Sequence, residues 1–264
     1  MQRLKNAPRG VFRAVRFILT DMDETLTYKG RLGARTYAAL ERLQDAGIKV
    51  IPVTAAPAGW CDQMARMWPV DGVIGENGGF FFHREGAHDV TRRYWHTPSD
   101  LEGVTARLTA VSRQIVENIP GAELADDQPF RSTSLAFKRS GSAELQQRVV
   151  AAMRADGLDA TINNLWLLGW SGGYDKLAMT RRIMREVYGV DIEQGRGEIL
   201  YSGDSTNDAP MFGFFEHTVG VSTVREYEAE IPKMPNWITD GPGGSGFVEI
   251  ADAVIASKKT GHEA

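Results

Sequence analysis

Apolar runs that break abruptly into polar clusters set the rhythm of this chain. Residues 15–20 form a continuous apolar run that ends at Asp21-Met22-Asp23-Glu24, the pattern of a strand covered on both faces. Residues 35–46 place Tyr37, Leu40 and Leu43 on one helical face and stop at Gly47. A second strand over 48–53 ends at Thr54. Pro57 suits the first turn of the next helix, which carries Trp60, Met64 and Met67 on one side. A short third strand spans 70–74. Strand–helix alternation of this kind predicts a parallel sheet with right-handed crossovers.

The rhythm changes after His83. A strand over 90–95, a long helix over 100–118 capped by Ser99, a strand over 135–138, a helix over 142–155 closed by Gly157 and a strand over 161–170 follow in turn. This block predicts a small sheet with helices on one side. The first pattern resumes at Asp175 with a helix to about Tyr188, its Leu177, Met184 and Val187 turned inward. A strand over 199–202 runs into Gly203-Asp204-Ser205-Thr206-Asn207-Asp208, late strands cover 218–221 and 237–239, and a closing helix covers 247–256. The expected fold is α/β: a doubly wound, Rossmann-like parallel-sheet core with a smaller α/β cap domain inserted into it. The expected boundaries are a basic tail over 1–13, core over 14–83, cap over 84–172 and core again over 173–264.

Composition narrows the function classes. The chain has 264 residues, 42% of them hydrophobic, enough for a substantial core. A formal net charge of -4 argues against general nucleic-acid affinity. No apolar run is long enough to span a membrane, and the N-terminus lacks the apolar stretch of a secretory signal. The expectation is a cytoplasmic protein, monomer or homodimer, whose partner is a small molecule and not nucleic acid or membrane. Arg3, Lys5, Arg9, Arg13 and Arg16 stand without acidic neighbours and read as a solvated tail. Cys61, the only cysteine, reads as a buried thiol among Trp60, Met64 and Met67. The histidines at 83, 88, 96, 217 and 262 show no metal-ligand spacing, and residues 241–246 read as a flexible glycine-rich turn. Residues 258–264 read as a frayed tail.

Three polar clusters fall at the carboxyl ends of expected parallel strands: Asp21/Asp23, Thr54, and Asp204/Asn207/Asp208. Ligands of open α/β sheets bind outside those ends. A carboxylate there can attack phosphorus and form an aspartyl-phosphate, and a second acid nearby can protonate the leaving oxygen and later deprotonate water. Clustered carboxylates need a cation, and hard oxygen ligands favour Mg²⁺. Asp204 is the partner ligand from the other strand. Thr54 and the adjacent backbone N–H, at Ala55, can hold a phosphate oxygen. Lys176, opening its helix, can pair with both the nucleophile and the phosphate.

Asp21-Met22-Asp23-Glu24-Thr25, Val53-Thr54, Asp175-Lys176 and Gly203-Asp204-Ser205-Thr206-Asn207-Asp208 resemble, in order, the four motifs of the haloacid dehalogenase-like hydrolase superfamily. The insertion between the second and third motifs, with Glu76-Asn77-Gly78-Gly79 before it, resembles the sugar-phosphatase-type branch. The resemblance implies that Asp21 is nucleophile and Mg²⁺ ligand, and that Asp23 is the acid/base with its backbone carbonyl on the metal. It further implies that Thr54, Ala55, Lys176 and Asn207 hold phosphate and that Asp204 completes the metal site. Asp208 would support that site or reach it through water. The second motif departs from the common Thr-Gly-Arg, reading Thr54-Ala55-Ala56. The implied activity is Mg²⁺-dependent hydrolysis of small phosphomonoesters such as sugar phosphates. A phosphomutase uses similar motifs, and a receiver-like or silent sugar-phosphate-binding protein is the non-enzymatic alternative. Specificity is expected in the cap, at Arg131 and at loops 121–129 and 163–165.

Overall fold

The computed structural model describes residues 1–163 and 165–259; Asn164 and the last residues of the expected C-terminal tail, with His262, lie outside the described residues. The first half contributes strands β1 (Gln2–Arg3), β2 (Phe17–Thr20), β3 (Thr27–Tyr28), β4 (Arg31–Leu32), β5 (Lys49–Pro52), β6 (Val73–Gly75), β7 (Phe80–Glu85) and β8 (Asp89–Tyr94). It also holds helices α1 (Ala34–Asp45), α2 (Ala58–Met67) and α3 (Pro98–Asn118). There follow β9 (Ser134–Lys138), α4 (Ala143–Ala155), β10 (Asp159–Ile162), β11 (Trp166–Trp170) and α5 (Lys176–Glu186). The chain closes with β12 (Ile199–Gly203), α6 (Ala209–Phe214), β13 (His217–Gly220), β14 (Trp237–Ile238) and α7 (Gly243–Lys259).

Six strands form the central sheet in the order β1-β14-β13-β12-β2-β5. Every pairing in it is parallel. The side chains of β2 show why its sequence is apolar throughout. Ile18 packs on one face with Leu40 and Leu43 of α1 and Ile250 and Val254 of α7. Phe17 and Leu19 pack on the other with Met179 and Ile183 of α5 and Phe212 of α6. The expected doubly wound core is therefore present, with β2 and β12 adjacent near its middle.

The inserted segment builds its own three-stranded antiparallel sheet, β10-β11-β9. Leu108, Val111 and Ile115 of α3 and Val149, Val150 and Met153 of α4 cover one face of it. The opposite face carries Ala136, Leu168 and Trp170 and packs against Ala55 of the core. The small sheet is thereby held over the carboxyl ends of the core strands. Thr97, not Ser99, caps α3, and Pro98 occupies its first turn.

Several expectations need correction. The strand expected over 90–95 as the first of the insertion instead pairs with β7, which pairs with β6, in an antiparallel meander beside the core. A single parallel bridge, Val53 with Ile74, joins that meander to the central sheet. The strand expected over 161–170 is a hairpin: the Asn163 side-chain oxygen accepts from the Leu165 and Trp166 N–H groups and reverses the chain. The basic segment 1–13 is not a solvated tail. Its Gln2 and Arg3 pair with Trp237 and Ile238, and Leu4 and Phe12 are buried in the core. Arg3 and Lys5 reach Asp240. Burial of Leu4 and Phe12, with the pairing to the last core strand, offsets part of the entropy lost in ordering the segment. The glycine-rich stretch is the start of α7: Gly243 and Gly244 are buried where a side chain would strike the Thr27 and Leu26 carbonyls. Among the described residues no helix is long and apolar enough to cross a membrane.

Candidate active site

The ends of β2 and β12 lie side by side, Thr20 opposite Ser202, and the Asp21 N–H continues the ladder to the Ser202 carbonyl at 2.8 Å. This fixes the backbone of the first aspartate before its side chain enters the crevice. Asp175 caps α5 by accepting from the Ala178 N–H at 2.6 Å, so Lys176 stands at the first position of that helix. Its ammonium donates to Asp21 Oδ1 at 2.7 Å and to Asp208 Oδ1 at 2.8 Å. All three side chains are buried.

Asp208 has no spare capacity. One oxygen accepts from Lys176 and from the Tyr201 hydroxyl, the other from the backbone N–H groups of Asp204 and Ser205. Four donors on a carboxylate fill its lone pairs, so Asp208 holds Lys176 and shapes the 204–208 turn. Asp204 accepts from the Thr25 hydroxyl at 3.1 Å. The oxygens of Asp21, Asp204 and Asp208 lie within 4.8 Å of one another.

These groups are short of positive charge. Burial pushes the Asp21 carboxyl from 3.8 up to about 7, although Lys176 pulls the other way. Burial, then the neighbouring Asp21 and Asp208, holds Asp204 well above the ordinary carboxylate range. Burial disfavours the Lys176 ammonium, yet Asp208 and Asp21 outweigh it and keep the group charged. Three buried carboxylates facing one ammonium is a donor set that fits a hard divalent cation. With Asp208 saturated, the oxygens that suit such an ion are those of Asp21 and Asp204.

Asp23 is two residues on and lines a cleft with Asp21, Ala55, Asn163, Leu165, Ser205 and Asn207. Burial raises its carboxyl from 3.8 to about 6. Thr54 is fully buried; its Oγ1 accepts from the Ala56 N–H at 3.0 Å and keeps its own O–H to donate. Asn207 accepts from the Ser205 hydroxyl at 2.9 Å, which leaves its amide hydrogens as donors. The expected residues Asp21, Asp23, Ala55, Asn207, Lys176, Asp204 and Asp208 thus converge on one place.

Arg131 does not reach the cleft as a free cation. Its side chain is 1% exposed and paired with Asp127 at 2.7 Å. It also donates to the Ala55 carbonyl and the Ser134 hydroxyl, both at 3.1 Å. Arg131 thus forms a salt bridge within the insertion and a buried tie from it to the core.

The role of Glu76 in holding the insertion was not legible beforehand. Fully buried after β6, it accepts from five donors: the Ala58, Ser132 and Thr133 N–H groups and the Thr133 and Ser134 hydroxyls, at 2.7–3.0 Å. It joins the start of α2 to the strand entering the inserted sheet. Glu76 and Asn77 have φ of 46° and 59°, and a Cβ on Gly79 would stand 2.0 Å from Thr133 Oγ1. A lone acid followed by Asn-Gly-Gly directly after a buried strand was the available signal.

Residues 18–95 match the family described as haloacid dehalogenase-like hydrolase. That match contains Asp21, Asp23, Thr54 and Glu76. Over that stretch the chain is similar to haloacid dehalogenase-like hydrolases. Over 210 residues it is 29% identical to a phosphoglycolate phosphatase of Thermoplasma volcanium, covering 75% of this chain and 81% of that one. In fold the chain resembles the Thermoplasma acidophilum protein 0175, with a TM-score of 0.71, 18% identity, and 92% and 99% of the two chains covered. It also resembles the sucrose-phosphatase of Synechocystis sp. PCC6803, solved with sucrose and phosphate, with a TM-score of 0.65, 12% identity, and 92% and 98% covered. A trehalose-6-phosphate phosphatase related protein shares the fold as well, with a TM-score of 0.63, 15% identity, and 90% and 96% covered.

Proposed function

We propose that this protein is a Mg²⁺-dependent phosphatase that cleaves small phosphomonoesters, sugar phosphates among them, through an aspartyl-phosphate on Asp21. The observation that carries the reading is the Lys176 bridge between Asp21 and Asp208, with Asp23 lining the same cleft as Asp21. A carboxylate fixed at a strand end beside an ammonium suits attack on phosphorus, and a second carboxyl about 6 in pKa suits proton transfer near neutrality.

The Thr54 hydroxyl, the Asn207 amide and Lys176 would hold the phosphate oxygens. Asp21 attacks phosphorus, the bond to the leaving oxygen breaks, and Asp23 gives that oxygen its proton. Water then attacks the aspartyl-phosphate, Asp23 takes the proton, and phosphate leaves with Asp21 restored. Mg²⁺ held by Asp21, Asp204 and the Asp23 backbone carbonyl would supply the positive charge that the carboxylates and the phosphate require. Tyr201, through Asp208, keeps Lys176 in place.

Phosphate release across a panel of phosphorylated metabolites, with Mg²⁺ and with chelator, tests the reading. Release that needs Mg²⁺ and vanishes in Asp21→Asn is expected. Full Mg²⁺-dependent release by Asp21→Asn would overturn it.

A further inference from the structure

The cleft at Asp23 opens into a larger cavity of about 610 Å³ between the core and the insertion. Asp23 and Leu165 line both spaces, so a group bonded to phosphate at Asp21 extends into the larger one. Its volume lies within the usual range for small-molecule sites.

The walls have a definite chemistry. Trp60 and Trp68 stand on the core side, Phe130 and Trp166 on the insertion side. Trp60 is 46% exposed, Phe130 55% and Leu165 45%, so three of the exposed large apolar side chains of this molecule gather around one cavity. Large aromatic side chains are not left in water at a concave site without cost, and their flat faces suit stacking on another ring. Gly59 lets Phe130 lie this close: a Cβ there would stand 3.1 Å from the Phe130 Cβ.

The charges are one-sided. Asp23, Asp126 and Asp127 are the ionisable residues on the wall, and among the described lining residues there is no Lys, Arg or His. Arg131 lies close by and pairs with Asp127, so those two charges cancel and Asp23 and the exposed Asp126 are the acids left on the wall. Lys29 lines a separate cleft with Glu24 and Asp204.

Resting on the phosphatase reading above, we infer that this cavity takes the leaving group of the substrate, and that this group is an uncharged ring with a flat apolar face. A leaving group bearing a carboxylate or a second phosphate would meet acids and no free cation. The chemistry therefore differs from what the substrate named for the Thermoplasma volcanium relative would require, since phosphoglycolate carries a carboxylate beside its phosphate.

Matched substrates test this with the wild-type protein and Mg²⁺. Phenyl phosphate is compared with 4-carboxyphenyl phosphate, and glucose 1-phosphate with glucuronic acid 1-phosphate, each pair keeping its ring. Acetyl phosphate, which has no ring, reports on the phosphate site alone. Within the pair that is hydrolysed, the neutral member should have a kcat/KM about tenfold higher or more, because its partner places like charges together. Which pair is hydrolysed tells an aryl from a sugar ring. Trp60→Ala and Phe130→Ala, both at exposed positions, should lower the ratio of ring ester to acetyl phosphate about tenfold through KM. Asp126→Lys should narrow the gap between the charged and neutral members. Carboxylated esters or phosphoglycolate turned over as fast as the neutral rings would overturn the inference, as would an unchanged ring-to-acetyl ratio in Trp60→Ala. Acetyl phosphate cleaved with no preference among esters sinks this inference alone. Silence on every compound sinks the phosphatase reading and this inference with it.

Discussion

Replacing Glu76 by Gln removes one oxygen acceptor from a group that five donors face, and the consequence can be worked through. If the amide nitrogen takes the place of Oε2, the Thr133 and Ser134 hydroxyls can rotate and accept from it, but the Thr133 N–H, now 2.7 Å from an acceptor, is left facing another donor. If it takes the place of Oε1, two backbone donors, Ala58 and Ser132, are stranded. The first arrangement is the cheaper. One orphaned buried N–H costs about 1–3 kcal/mol, and each surviving bond loses the strength that the charge gave it, about 0.5–1 kcal/mol. The sum is about 4 kcal/mol, a large part of the roughly 5–15 kcal/mol that stabilises a folded protein. Guanidinium denaturation followed by tryptophan fluorescence measures it directly. Because the lost bonds join the insertion to the core, KM for a phosphomonoester should also rise. A Glu76→Gln protein within about 1 kcal/mol of wild type would refute the reasoning, and Glu85→Gln on the exposed end of β7 is the control.

Metal-free protein should lose stability as pH rises from 5.5 to 8. The folded state holds protons on Asp21 and Asp23 up to about 7 and 6, against 3.8 in the unfolded chain. Their contribution is complete below about pH 4 and declines until pH passes those values, by about 3 kcal/mol over the range measured. Asp21→Asn should flatten the profile and Mg²⁺ should raise Tm more at pH 8 than at 5.5; a wild-type profile in chelator that matches Asp21→Asn would refute the assignment. Phe12→Ala should cost about 3 kcal/mol by urea denaturation, since Phe12 is buried with its ring 5.5 Å from His217; a cost below about 1 kcal/mol would mean that the segment is a solvated tail after all. Gly79→Ala should destabilise by about 2 kcal/mol or more because its Cβ would collide with Thr133, and a neutral result in thermal denaturation would show that the insertion can shift to make room.

The acidic cluster was legible because its signal is local. An apolar strand that stops at a carboxylate records both the buried strand and the open end, and this occurs at Asp21 and at Asp204. The helix start at Lys176 was written in the same way, with Asp175 as cap. What could not be read was pairing. The strand at Asp89–Tyr94 has the same composition whether it opens the insertion or returns along β7, and only the short turn at Gly86 distinguishes the two. Leu4 and Phe12 follow no period, so nothing local announces that they are buried.

The same contrast bears on Arg131. Its sequence position, just before a cap strand, suits a cation that greets a second anion, but the partner that claims it stands one helical turn earlier. Asp127 takes two of its nitrogens, and the Ala55 carbonyl and Ser134 hydroxyl take the third. Ser134 in turn donates to Glu76. Arg131 and Glu76 thus belong to one buried network, which clamps the insertion onto Ala55 beside the phosphate site. A cation spent in this way cannot also recognise substrate. With it withdrawn, the wall of the neighbouring cavity is left to aromatic rings and acids, and the preference for an uncharged ring follows from the same contacts that fix the two parts of the molecule together.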